Sequence, residues 1–232
     1  MLKKICLILV MTVMMCGCVR IETDLTINKD GSAVVKDRFM MSKQLLAMTQ
    51  QDPFADIKKT KESPETQINP YETEDMKGFE ATTNIANLEN AKWNTTADTK
   101  SVKTKNPDGK FVSVKKGFIK TVYTIDAEID GTKNADTGEK IESMQNSGAD
   151  VNSIIQYNYT INTPAKADSH NAASADDVNF VYKWNIKFGD VNPLKLQFTV
   201  YNTGNIIGLL IVLAVITGAI ISLIKSKKAD EE

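Results

Sequence analysis

Directly after Cys18 the chain alternates with period two. Val19, Ile21, Leu25 and Ile27 share one face, and Arg20, Glu22, Asp24 and Thr26 the other. One apolar face at that period predicts a half-buried strand. Asn28-Lys29-Asp30-Gly31 is turn chemistry, with Gly31 able to take positive φ, so residues 32–39 are expected to pair back as a hairpin. Ser42 caps a predicted short helix over 43–49 that buries Leu45, Leu46 and Met48. Asp52-Pro53, a capping carboxylate before a proline at the first helical position, opens a turn or two through Ile57. Residues 58–77, polar and broken by Pro64 and Pro70, read as a loop.

Phe79, Ala81, Thr83 and Ile85 alternate as another strand, and residues 88–93 read as a helical turn. Asn106-Pro107-Asp108-Gly109 is a turn signal between candidate strands. Ile119, Tyr123, Ile125 and Ile129 then mark a long strand. Residues 136–146 are ambiguous: Asp136 and Glu139 have capping-box spacing, but only Ile141 and Met144 form an apolar face. Ile155, Tyr157, Tyr159 and Ile161 share a face, as do Phe180, Tyr182, Trp184, Ile186 and Phe188. Leu194, Leu196, Phe198 and Val200 form the last strand. The expected fold class is α+β, a mostly antiparallel β-sheet with a few short helices and one C-terminal transmembrane helix.

The two ends are apolar in a different way. Lys3 and Lys4 precede an apolar run over 5–15, the arrangement of a signal peptide, and too short to span a bilayer, which takes about 20 residues. Gly17-Cys18 closes it as a lipoprotein cleavage site would, with Cys18 as the lipidated (palmitate-bearing) residue. Met15 and Cys16 are not the usual lipobox residues, and an ordinary signal peptide or uncleaved anchor with an incidental cysteine is the alternative. Residues 205–224 carry no charge and span about 30 Å as a helix, the thickness of a bilayer core. Lys225, Lys227 and Lys228 follow and mark the cytoplasmic side. The expected division is a signal peptide over 1–17, an extracytoplasmic domain over 18–203, a transmembrane helix over 204–224 and a short cytoplasmic tail over 225–232. A hairpin that starts at a lipidated residue is expected to sit close against the membrane.

Composition narrows the chemistry. A net charge of -1 recruits no nucleic acid. All three cysteines lie at the leader, which leaves the ectodomain without a disulfide, a thiolate nucleophile or a sulfur metal ligand. His170, the single histidine, sits in an Ala/Asp/Ser/Asn stretch that reads as an exposed loop, without the burial or orienting partner that tunes a catalytic base. No metal site and no cofactor are expected, and no catalytic residue is assigned.

Several blocks together resemble the LppM-like domain family of bacterial envelope lipoproteins: Gly17 to Ile21, Asp24 to Ile27, the turn at 28–31, Gly78-Phe79-Glu80-Ala81-Thr82, Ile161 to Lys166, Asn171-Ala172 and the aromatic strand around Trp184. The resemblance covers most of the chain, with residues 92–155 matching least, and none of its motifs is catalytic. It implies an envelope lipoprotein with an α+β domain, and lipid or glycolipid binding.

Two features could carry binding. Lys100, Lys103, Lys105, Lys110, Lys115, Lys116 and Lys120 cluster around a predicted hairpin with only Asp108 opposing them locally, a patch that could contact anionic headgroups or serve to keep an edge hairpin from aggregating. The faces Tyr157/Tyr159 and Phe180/Tyr182/Trp184 could line an apolar pocket or fill an ordinary core. The function expected is a membrane-anchored, non-enzymatic lipid- or glycolipid-binding module on the outer face of a bacterial cell membrane, with a neighbouring protein as a possible partner. The alternatives are a membrane-tethered hydrolase using carboxylates and a structural or sensory partner of another membrane protein. The intact mass of membrane-extracted protein tests the N-terminal reading: a chain starting at acylated Cys18 is expected, lost in Cys18→Ala, and an unmodified full-length mass would refute it.

Overall fold

The computed structural model describes residues 17–49, 52–89, 91, 102–132 and 150–229. In chain order these form β1 (Val19–Ile27), β2 (Ala33–Ser42), α1 (Lys43–Ala47), α2 (Ala55–Lys61), β3 (Thr66–Glu72), β4 (Met76–Ile85), β5 (Val102–Thr104), β6 (Val112–Lys116), β7 (Lys120–Asp130), α3 (Val151–Ile154), β8 (Ile155–Asn162), β9 (Ala167–His170), β10 (Ser174–Asp176), β11 (Val181–Ile186), β12 (Val191–Tyr201) and α4 (Thr203–Ala229). The leader through Cys16, the turn around Trp93, Lys100 and the ambiguous segment 136–146 lie outside the described residues.

The strands make two sheets. The larger runs β10-β11-β8-β1-β2-β4-β3, and the smaller runs β5-β7-β12-β9 with β6 also paired to β7. The pairings are antiparallel except that of β1 with β8. The α+β class and the mostly antiparallel sheet are therefore as expected. The apolar faces of the two sheets meet in one core. Leu25, Tyr159, Ile161 and Tyr182 come from the larger sheet, and Ile125, Leu194, Leu196 and Phe198 from the smaller, each at most 2% exposed. Side chains of this kind contribute about 1.5–3 kcal/mol each on burial. Tyr123 and Phe198 stack across the β7–β12 pair with centroids 4.7 Å apart.

A second, smaller core lies under α2, where Phe54 meets Phe79 edge-on at 5.7 Å and Phe79 stacks on Phe39 at 5.2 Å. The close approach of β4 to β2 beside it requires Gly78, because a Cβ there would lie 1.8 Å from the Phe39 carbonyl oxygen.

Several local expectations are corrected. Residues 58–77 are not a loop: α2 continues to Lys61, and β3 follows with Pro70 inside it. Proline is tolerated there because β3 is the edge strand and only one of its sides is paired. Ser42 does cap α1, its Oγ accepting from the Leu45 amide at 3.3 Å, but the helix buries none of its residues and Met48 is 82% exposed. Asp52 does not cap the helix: its carboxylate accepts from the Phe54 amide at 2.9 Å, but α2 starts beyond Pro53 at Ala55, with Phe54 as its N-cap and no side-chain cap bond. Phe180 is not a strand residue; it has φ 57 and ends a turn whose amides at Val178 and Asn179 donate to the Asp176 carboxylate. His170 is exposed, yet it ends strand β9 rather than lying in a loop.

Between the two cores runs a polar line. In register across the larger sheet stand Ala81, Asp37, Thr23, Tyr159 and Trp184. Thr23 occupies a core-facing position of β1 and is 1% exposed, its hydroxyl donating to Asp37 Oδ1 at 2.8 Å. Lys61 reaches in from α2 to place Nζ 3.5 Å from Asp37 Oδ2. Burial holds the Lys61 ammonium below its ordinary 10.5, and Asp37 partly offsets this. Burial also pushes the Tyr157 and Tyr159 phenols up. A buried charge left without its partner costs about 3–5 kcal/mol. Lys61→Met is accordingly expected to destabilise the fold by about 3 kcal/mol in denaturant melts, and Asp37→Asn, which keeps an acceptor for Thr23, by less than Asp37→Ala. Between the folded Lys61 value and 10.5 the unfolded chain holds more protons than the fold, so stability rises with pH there. That rise is expected to be missing in Lys61→Met.

Candidate functional site

The last strand runs without a linker into the apolar helix: β12 ends at Tyr201 and α4 begins at Thr203. The stretch Thr203–Ile221 has a mean hydropathy of 2.5 and none of it is buried, so α4 is long and apolar enough to cross a membrane. Asn202, the one residue between strand and helix, is a joint. Its amide donates to the Ile119 carbonyl at 2.7 Å, and its Nδ2 to the carbonyls of Gly117 at 2.8 Å and Phe118 at 3.3 Å. Its own carbonyl accepts from Ile206 at 3.1 Å, the first bond of the helix. From one turn inside α4, Asn205 Nδ2 adds a bond to the Phe118 carbonyl at 2.8 Å. The tip of the β6–β7 hairpin, closed by Gly117 N donating to Lys120 O at 2.8 Å, is thereby fixed to the helix entry.

Beside this joint lies an open depression of about 590 Å³, bordered by Lys29, Lys116, Tyr123, Tyr201, Asn202 and Asn205 among others. Lys29 and Asp30 come from the β1–β2 turn, where Gly31 has φ 87. Asp30 Oδ1 accepts from both the amide and the hydroxyl of Ser32, which holds its carboxyl below the usual range. The turn of the first hairpin therefore sits at the helix end of the sandwich.

Cys18 sits at the other end. Its carbonyl accepts from Ser42 N at 2.8 Å, and Gly17 N donates to Ser153 O at 3.3 Å, next to the Asn152–Phe188 bonds at the far end of β8 and β11. The whole of β1 separates it from the β1–β2 turn, about 30 Å for nine residues. The hairpin does start at Cys18, but its far end is the one that neighbours the apolar helix.

The lysines expected to form one patch are divided and largely paired. Lys103 is 3.7 Å from Asp130, Lys105 bonds Glu128, Lys116 bonds the Glu89 carboxylate, and Lys110 donates to the Glu89 carbonyl. The bonds to Glu128 and Glu89 raise Lys105 and Lys116 above their ordinary value. Lys115 and Lys120 are exposed near the hairpin tip. Asp108 was the only acid near these lysines in sequence; the actual partners come from β7, which lies opposite β5 with Lys103 facing Glu128, and from Glu89. That pairing is a matter of register, which local sequence does not reveal.

The aromatic residues Tyr157, Tyr159, Tyr182 and Trp184 fill the space between the sheets, with Phe180 half-buried against them. Tyr182 accepts from Ala167 N at 2.8 Å and donates to Asp177 at 3.2 Å, while Trp184 Nε1 donates to Asn171 at 2.8 Å. Trp184 also borders an open depression of about 400 Å³ with Asn171, Asn185 and Asn192. His170 packs on the Tyr182 ring at 5.0 Å, and its Nδ1 accepts from the Ala172 amide. Among the described residues two carboxylates are buried, Asp37 among Thr23 and Lys61, and Asp130 among Thr132 and Lys103. The Asn202 joint was missed in sequence because an Asn before an apolar helix reads only as a cap.

No family model and no curated protein matches the sequence. Among solved structures the chain is similar to the folded domain of the LppM protein of Mycobacterium tuberculosis, determined by NMR. The sequences are 14% identical, the TM-score is 0.43, and the match covers 82% of this chain and 94% of that one.

Each Asn202 side-chain bond is worth about 1 kcal/mol. Asn202→Ala is expected to speed amide exchange at 117–120 by several-fold in the full-length protein while leaving β8 and β11 unchanged.

Proposed function

We propose that this chain is a membrane-held, non-enzymatic module of the bacterial cell envelope. Its sandwich stands on the extracytoplasmic face, its C-terminus lies inside, and anionic lipid or glycolipid headgroups bind at the helix entry. The observation that carries this reading is the depression bordered by Lys29, Lys116, Asn202 and Asn205 directly above the first turn of α4. A headgroup there would meet the Lys29 ammonium and, on exchanging Glu89 for phosphate, that of Lys116, with the neighbouring Asp30 carboxylate turned to its Ser32 bonds. An apolar helix leaving that same floor would bring the headgroup layer to it.

A structural or sensory role with a protein partner is the second reading. It is favoured by the Asn202 joint, which ties the hairpin, the last strand and the helix into one unit and so would pass a displacement of the sandwich to the helix.

Detergent-extracted full-length protein tests the first reading by analysis of copurified lipid. Lys29→Ser with Lys116→Ser is expected to lower bound anionic lipid by several-fold relative to the native chain. No lipid above the level of an unrelated single-helix protein, with no partner crosslinked in cells, would refute both.

A further inference from the structure

The β6–β7 hairpin ends in two consecutive large apolar residues that no part of the described structure covers. Phe118 is 65% exposed and Ile119 is 46% exposed. Single exposed apolar side chains are ordinary on protein surfaces, but these two do not stand alone. Tyr201, 62% exposed, lies on the neighbouring strand directly opposite Lys120. The bonds from Asn202 and Asn205 hold the Phe118 carbonyl at the first turn of α4. Exposed lysines flank the tip on both strands, Lys115 before it and Lys120 after it, with Lys29 across the depression.

We propose that Phe118 and Ile119 form an interfacial wedge that enters the same bilayer as α4, with Tyr201 at headgroup level and Lys115 and Lys120 on anionic headgroups. The occupant is fixed by continuity. A tip bonded to the first turn of a membrane-crossing helix stands at the depth where that helix leaves the hydrocarbon, so its side chains meet lipid before anything else. Aromatic residues with a polar end favour that level, and lysines reach from it to phosphate while their stems cover apolar surface. An apolar tip with a cationic rim is the composition of a peripheral membrane contact. The wedge would stop the sandwich from pivoting about α4. The proposal rests on the reading of α4 as a bilayer anchor.

The test places a reporter at the tip of the full-length protein in bilayers of phosphatidylcholine with phosphatidylglycerol. Phe118→Trp substitutes an exposed ring and disturbs no core contact, and its emission is taken over the background of Trp93 and Trp184 in the native chain. Lipids brominated in the upper acyl chain are expected to quench the added emission at least twofold. Adding Lys115→Ser and Lys120→Ser is expected to reduce the quenching in anionic bilayers and leave it unchanged in pure phosphatidylcholine. An unquenched reporter open to aqueous iodide would overturn the wedge, as would a tip protected by a second copy of the chain and shown by crosslinking through that position. Indifference to the lysine substitutions would overturn the headgroup contacts. Alkaline carbonate separates the two levels: protein retained in the bilayer with an unquenched tip refutes the wedge alone, whereas protein washed out refutes the anchor as well.

Discussion

Strand β1 is paired along both edges, antiparallel to β2 and parallel to β8, and this double pairing sets the terms for the larger sheet. The antiparallel side needs only a tight turn at Gly31. The parallel side brings together residues more than a hundred positions apart, such as Thr26 and Asn162, and costs loop closure that only a large buried face can offset. That face is completed by the smaller sheet, whose Leu194, Leu196 and Phe198 share one core with Leu25, Tyr159 and Ile161. On its core-facing side such a strand has no solvent outlet for a polar side chain. Thr23 and Asp37 therefore satisfy each other, and Lys61 closes the set from α2.

The elements that could be read in the sequence are those whose burial is one-sided and regular. β1, β4, β7, β8 and β12 each show it, with inward residues every second position, and the apolar stretch of α4 is plain from composition. What could not be read has a physical reason in each case. β3 contains Pro70 and two half-buried apolar positions, Ile68 and Tyr71, because an edge strand needs neither a second ladder nor a full apolar face. β9 and β10 are held by backbone pairing while their side chains are almost all exposed, so they leave no hydrophobic pattern. Thr23 interrupts the alternation of β1 at the position where the buried polar line crosses it. The lysines looked unopposed because Glu128 and Asp130 are distant in sequence and adjacent only in register.

The smaller sheet gathers the parts that matter to the candidate site. β6 and β7 supply the tip, β12 supplies the connection, and Asn202 binds the two with main-chain acceptors that side-chain variation cannot remove. The tip, the depression and the helix entry are thus one construction rather than three neighbours. The aromatic residues belong to a different part of the molecule. Tyr157, Tyr159, Tyr182 and Trp184 are the substance of the core; Tyr182 and Trp184 bond the β9 segment and its flank, while the buried Tyr159 hydroxyl has no hydrogen-bond partner among the described residues.

The placement of Cys18 and Thr203 at opposite ends of the strands has a mechanical side. In a chain held at both points, a pull between them enters at the start of β1 and leaves at the end of β12, along the strand axes in both sheets. The load then falls as shear on the ladders of β1 with β2 and β8 and of β12 with β7, where the hydrogen bonds of a ladder are strained together rather than unzipped singly. The two strands next to those points, β1 and β12, are each paired along both sides. Held in that way, the sandwich would resist most along the line between those two points.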